Sequence, residues 1–333
     1  MDLSRMSGRL VGLVGLGVMA LGAGGDVTLE KVNYLNLPDC YRLSNGTAEV
    51  VVTTNVGPRV IRYALAGGPN NFAEIPTDAV TTEWGDWKPL GGHRLWHAPE
   101  VKPRSYSPDN DPVAFVPVGA TGIKLTQKVE PGTGIRKEMQ VELASTGTLV
   151  TVTHRLTNTG VWDVELAPWA LTIVAGGGVT ILPQEPYKSH DDYVLPARPM
   201  VLWHYTDLTD ARWTVGKKYL CLRTDDKANV AQKIGIANKQ GWAAYANAGR
   251  LFVKRFGFQE GASYPDSGCN CETFTKGSFM EVESTGPLTK LAPGATAEYV
   301  ERWYLFDKVD IGVGEAALDA AITPLIAQTE PLK

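Results

Sequence analysis

The feature that most constrains this chain is a long succession of short segments in which apolar and polar residues alternate around β-branched positions. "AEVVVTTNVG" (48–57), "RVIRYAL" (59–65), "GIKLTQKV" (122–129), "RKEMQVELA" (136–144) and "TLVTVTHRLTNTG" (148–160) all read this way. So do "VELAPWALTIVA" (164–175), "KYLCLRTD" (218–225), "RLFVKRFGF" (250–258), "SFMEVES" (278–284) and "AEYVERWYLF" (297–306). A period of two puts one side of each segment on a core and the other towards water, which predicts β-strands. Turn signals fall between them at Asn45-Gly46, Pro131-Gly132, Thr159-Gly160 and Pro293-Gly294. Many short strands separated by turns close into an all-β sandwich or barrel. With 333 residues, 44% of them hydrophobic, the chain can fill one large core. Only "VGEAALDAAITPLIAQ" (313–328) reads as helix, with Pro324 expected to break or kink it. The expectation is a large antiparallel β-sandwich over about 30–308 and a short helical tail over 309–333. The Pro/Gly/Asp-rich stretch 103–112 is read as a functional loop within that domain.

The first 23 residues stand apart. Arg5 and Arg9 precede the apolar run "LVGLVGLGVMALGAGG", which ends in small residues. That is the layout of a secretory signal peptide, with cleavage after Gly22 or Ala23. The run falls short of the roughly 20 residues a membrane span needs, and no later segment is long and apolar enough to span. A periplasmic or secreted protein is therefore expected, without a stable membrane span after cleavage. Export would place Cys40, Cys221, Cys269 and Cys271 in an oxidising compartment. Four cysteines allow three full pairings, and spacing does not choose among them. No matching Cys or His pair stands at zinc-ligand spacing, so structural or free thiols are the better reading. The net charge of −4 and the lack of a basic run argue against nucleic acid as a partner. A phosphate-cradling glycine loop, a G-x-S-x-G elbow and H-E-x-x-H are all missing, so no cofactor or metal is expected from motifs.

Three stretches are dense in groups that bind or move protons. The first joins "WGDWKPL", "GGHRLWHAPE" and "YSPDNDP", bringing Trp84, Trp87, His93, Arg94, Trp96, His97, Glu100, Tyr106, Asp109 and Asn110 close in sequence. Flat indoles beside planar polar side chains suit a sugar ring, whose C–H faces pack on aromatics while its hydroxyls take hydrogen bonds. Gly91 and Gly92 would let the backbone turn tightly there. The second stretch, 252–288, holds Lys254, Arg255, Tyr264, Asp266, Asn270, Glu272, Glu281 and Glu283. Glu281 and Glu283 would share one face of a strand, and two such carboxylates call for a compensating cation or a proton. The third offers Trp169, Trp203, His204, Tyr205, Asp210 and Arg212; here Trp169 and His204 read more readily as core and structural residues. If two of Arg94, Lys254 and Arg255 face the groove, the ligand would carry a carboxylate or sulfate.

"GGHRLWHAPE", "YSPDNDP", "YPDSGCNCETFTKGSFMEVESTGPLTKLAPG" and "ERWYLF" resemble a bacterial family, described so far by fold alone, of the galactose mutarotase-like superfamily. The resemblance runs over about 30–308. It implies a large antiparallel supersandwich with a carbohydrate site on its concave face. Aldose 1-epimerases of this superfamily open a sugar ring with a glutamate base and a histidine acid. "CNCETF" is similar to their glutamate stretch and puts Glu272 at the base position. Their histidine stretch falls on "LAPWALT", where Trp169 and Ala170 stand and no histidine does, which would leave His93 as the acid. The expected function is an exported carbohydrate-active protein of aldose 1-epimerase type acting on a free sugar, neutral or acidic. A non-catalytic carbohydrate-binding protein, or a lyase or hydrolase using Glu281 or Glu283, stands beside it. The substrate-binding set is Arg94, Trp96, Glu100, Tyr106, Asp109, Asn110, Trp169, Lys254, Tyr264, Asp266, Glu281 and Glu283.

Overall fold

A computed structural model of the chain describes residues 27–332. The proposed signal segment, 1–23, lies outside the described residues. Two large antiparallel sheets pack face to face. The first runs in the order Thr28–Tyr34, Leu37–Ser44, Ala48–Val52, Val60–Leu65, Leu90–Ala98, Val164–Ala175, Phe279–Thr285, Cys271–Lys276, Gln232–Ile236, Met200–Leu202. The second runs Trp213–Val215, Tyr219–Arg223, Val179–Pro183, Trp242–Asn247, Arg250–Phe256, Thr296–Asp307, Val150–Asn158, Ile135–Leu143, Gly122–Thr126, Ala114–Val118. This is the all-β sandwich that the alternating segments predict.

The core between the sheets is built from every second residue. Val50, Val52, Val60, Leu95, Ala170, Val174, Met280 and Val282 come from the first sheet; Met139, Val141, Val152, Leu156, Phe252 and Trp303 come from the second. Tyr63, Phe72, Phe252 and Trp303 meet edge-on or tilted, with ring centroids 5.6–6.2 Å apart, the arrangement aromatic quadrupoles favour. The outer face of the second sheet is capped by the C-terminal helix Glu315–Ile326, whose Leu318 and Ile322 pack on Ile181, Leu251, Val253 and Tyr304. Pro324 does not end this helix, which continues to Ile326. It stands in the last turn, where only one backbone bond is forfeited. No helix among the described residues is long and apolar enough to cross a membrane. All four cysteines are buried free thiols.

Strand Leu90–Ala98 is buried along its whole length, so "GGHRLWHA" is a central strand of the first sheet. Its two glycines sit where the strand changes neighbours, from Glu74–Ile75 to Val60. Gly91 has φ +81° and Gly92 φ +66°; a Cβ would stand 1.9 Å from Ala73 O at the first and 2.1 Å from Val60 O at the second. Only glycine fits there.

Candidate functional site in the concave groove

The site follows from the alternation of the central strands of the first sheet. Across these strands Trp96 faces Trp169, Arg94 faces Leu171, Leu171 faces Glu283, and Glu283 faces Glu272. One step along, Ile173 faces Glu281, Glu281 faces Phe274, and Phe274 faces Lys233. All these side chains share the face turned away from the core. Except for Glu272 and Glu283, which lie buried beneath, they form the floor of a cavity of about 1520 Å³, whose walls include Trp87, Glu100, Tyr106, Trp203 and Tyr205.

The floor alternates in charge. Lys233 Nζ stands 2.6 Å from Glu272 Oε2 and 3.1 Å from Glu283 Oε2, with its hydrogen-bond direction better aimed at Glu283. Neither oxygen of Glu272 has a well-directed hydrogen bond. The Lys233 ammonium lies over the rings of Trp169 and Trp203, 5.0 and 4.7 Å from their centroids, and Trp169 Nε1 donates to Glu283 Oε2 at 2.9 Å. Arg94 Nη2 donates to Glu281 Oε1 at 3.1 Å, and Arg94 lies 4.9 and 4.6 Å from the rings of Trp87 and Trp96. The two cations that Glu281 and Glu283 require are therefore side chains.

Burial pushes the Glu272 carboxyl well above the usual carboxylate range; Lys233 pulls it back, while Glu283 and Asp266 push it further up. Burial likewise raises Glu281 against the pull of Arg94, with Glu283 adding to the rise. Lys233 is opposed by its own burial, yet Glu272 and Glu283 hold it well above its ordinary value. The floor therefore keeps its ammonium, while burial makes Glu272 and Glu281 harder to ionise than ordinary carboxyl groups.

Of the sequence-predicted residues, the structure brings Arg94, Trp96, Glu100, Tyr106, Trp169 and Glu281 together on the groove. Tyr106 Oη donates to Glu100 Oε1 at 2.5 Å. Glu272 and Glu283 are fully buried beneath it, and Asp266 lines a smaller crevice with Trp203 and His204. Asp266 has φ +49°, in the left-handed region. The others lie elsewhere. Asp109 is a buried ion-pair partner of Arg59, and Asn110 Nδ2 donates to Asp86 O, tying two loops. Tyr264 stacks on Phe258, and its hydroxyl accepts the Gln259 N–H. Lys254 points between the sheets. Arg255, on the outer face, binds Thr329 and the Ile326 carbonyl at the C-terminal helix. Of the three cations considered, only Arg94 faces the groove.

His93 is next to Arg94 on the strand and therefore points the other way, into the core, with no exposed surface. Its surroundings define a closed hydrogen-bond chain. His154 Nδ1 is 3.1 Å from Tyr299 O; a carbonyl only accepts, so that nitrogen carries the proton. His154 Nε2 then accepts from His93 Nε2 at 2.7 Å, and His93 Nδ1 accepts from Thr172 Oγ1 at 2.8 Å. Lys254 Nζ donates to Thr172 Oγ1 at 3.2 Å and lies 2.9 Å from Glu301 Oε1. Trp303 Nε1 donates to Glu301 Oε2. Burial lowers both histidines, His93 further than His154, which is brought to about 4. Although His93, His154 and Glu301 cluster like metal ligands, their lone pairs are already taken and an ammonium sits beside them. The cluster is a neutral polar network of the core. Sequence reasoning passed over Lys233, Arg59, His154 and Glu301. The available signal was a charged residue set within an otherwise apolar strand, as in "QKIGI" and "YVERWY".

The two-sheet fold is shared with solved structures of galactose mutarotase-like proteins. Among solved structures the chain is similar to a galactose mutarotase-like protein from Lactobacillus casei, with TM-score 0.53 and 10% identity over 80% of this chain and 100% of that one. It is similar to a candidate mutarotase from Salmonella typhimurium, with TM-score 0.54 and 10% identity over 88% and 97%. It also matches a TPR-domain containing protein from Parabacteroides distasonis, with TM-score 0.55 and 12% identity over 83% of this chain but only 49%, about half, of that one. At such identities the likeness is one of fold. No family model and no curated relative matches the sequence.

Proposed function

We propose that this chain is an exported carbohydrate-active protein that takes a free sugar in the groove and moves protons at its anomeric centre. The observation that carries the reading is the grouping of Glu281, Lys233 and Arg94 on one floor between tryptophan walls, with Glu272 and Glu283 beneath it against Lys233. Glu272, at the position the resemblance marks for the base, takes the proton of the anomeric hydroxyl in its ionised form, which the Lys233 ammonium beside it favours. His93 is turned into the core, so the acid is a different group. Glu281 lines the groove and holds its proton to higher pH than an ordinary carboxyl, which suits it to protonate the ring oxygen. The ring opens and recloses on the other face.

The complete burial of Glu272 and the lack of a histidine among the groove-lining residues favour a second reading, sugar binding without catalysis. Anomer exchange measured by NMR on a panel of aldoses and uronic acids separates the two. Under the enzymatic reading the wild type accelerates exchange of some sugar, and Glu272→Gln and Glu281→Gln each lose roughly 10²- to 10⁴-fold in rate. Line broadening without acceleration would leave the binding reading. Export is tested by the N-terminus of the mature protein, expected at residue 23 or 24.

A further inference from the structure

Arg59 and Arg94 stand side by side on the sheet. Val60 pairs with His93 in antiparallel register, so positions 59 and 94 oppose each other one step along. Like charges placed in this way repel, and each guanidinium has taken one carboxylate, Asp109 for Arg59 and Glu281 for Arg94. Those carboxylates leave donors over. Arg59 Nε and Nη2, Arg94 Nε and Nη1, and Trp87 Nε1 are buried N–H groups without an acceptor in the protein. Arg59 is 1% exposed and Arg94 3%. Buried polar groups are rarely left empty, and guanidinium and indole nitrogens can only donate. Whatever completes this set must accept.

The set is also held in place. Arg94 lies against Trp87 and Trp96, which fixes its fork, and Arg94 on the floor and Trp87 in the wall both line the groove. Arg59 stands behind Arg94, close enough for their charges to interact. The excess of positive charge and unfilled donors at this end contrasts with the carboxyl-rich centre of the floor around Glu272 and Glu283.

We propose that the groove selects a sugar bearing an oxyanion, and that Arg94, backed by Arg59 and helped by the Trp87 indole N–H, reads that group. Carboxylate, sulfate and phosphate share the chemistry: each offers several acceptor oxygens to a planar fork. The inference rests on the sugar-binding reading of the groove and adds the ligand class.

The test is calorimetric titration of the full mature chain with glucuronic and galacturonic acids, their methyl esters, the parent sugars, and the 6-sulfates and 6-phosphates. The ester removes the charge at the cost of one added methyl group, and the parent sugar controls for that methyl. Wild type is expected to bind its preferred anionic sugar about 10- to 100-fold tighter than the ester or parent sugar, the range of a charge-assisted hydrogen-bond pair. That preference should weaken with salt, survive in part in Arg94→Lys, and vanish in Arg94→Gln. The leading anion in the panel identifies carboxylate, sulfate or phosphate. Equal binding of esters, parent sugars and all anionic forms would overturn the proposal and leave the sugar reading intact. Binding of no sugar, charged or neutral, would overturn both. The acid-against-ester comparison needs only wild type, so it decides the matter even if an Arg94 variant does not fold.

Discussion

Lys233→Met keeps the length of the side chain over the Trp169 and Trp203 rings but removes the cation that Glu272 and Glu283 share. A buried carboxylate that loses its cation takes up a proton instead of staying charged. In the unfolded chain the same group is ionised above an ordinary glutamate pKa of about 4.3, so the ceiling on the cost is about 3.7 kcal/mol per carboxylate at about pH 7, and about 1 kcal/mol at about pH 5. The folded variant holds a proton that the unfolded chain has released, so its deficit must grow as pH rises. Glu272 is already pushed upward in the wild type, which therefore carries part of its cost, and the added deficit corresponds to about one further proton. Urea unfolding followed by tryptophan fluorescence at about pH 5 and about pH 7 should show the variant losing roughly 2.7 kcal/mol more at the higher pH. Adding Glu272→Gln should recover part of the loss. An equal deficit at both pH values would mean that Lys233 acts by packing and not by charge, and would refute the electrostatic account of the floor.

Three further outcomes follow from the fold. Burial brings His154 from 6.5 to about 4; the unfolded chain takes its proton first, so stability should fall as pH drops through that window, by up to about 3 kcal/mol from this group. His154→Gln should flatten that part of the acid limb, and an unchanged slope would contradict the neutral network. Gly92→Ala puts a Cβ 2.1 Å from Val60 O at a positive φ, so the variant should be recovered only as aggregate or unfolded chain; a wild-type melting profile would show that the strand can shift. The four thiols should be unreactive to a thiol reagent in the native protein and titrate as four equivalents in denaturant, whereas two or none in denaturant would reveal disulfides.

The strands were legible because alternation is local and strong: "RKEMQVELA" and "TLVTVTHRL" show their buried face without reference to the rest of the chain. The site was legible only in part. Glu281 and Glu283 share a face by strand period, and the need for a compensating cation or proton follows from that. Which cation supplies it depends on register across strands separated by tens of residues, so Lys233 and Arg59 are invisible until the sheet is assembled. His93 failed for a related reason. A dense run of polar residues says that something is hydrogen-bonded there, but a one-residue step decides whether a side chain enters the groove or the core. Asp109, Asn110 and Tyr264 are loop and ion-pair residues whose composition mimics a sugar site.

Strand Leu90–Ala98 puts Arg94 and Trp96 on the groove and His93, Leu95 and His97 in the interior. Its length is consequently frozen in a way that the surface loops are not. Inserting or deleting one residue ahead of Arg94 would exchange the two sets at once, sinking a guanidinium into the apolar core and setting an imidazole pair in the groove. Reshaping of the groove is therefore confined to replacing side chains in place or remodelling its rims, among them 74–80 and 100–106, because the spine beneath cannot slide.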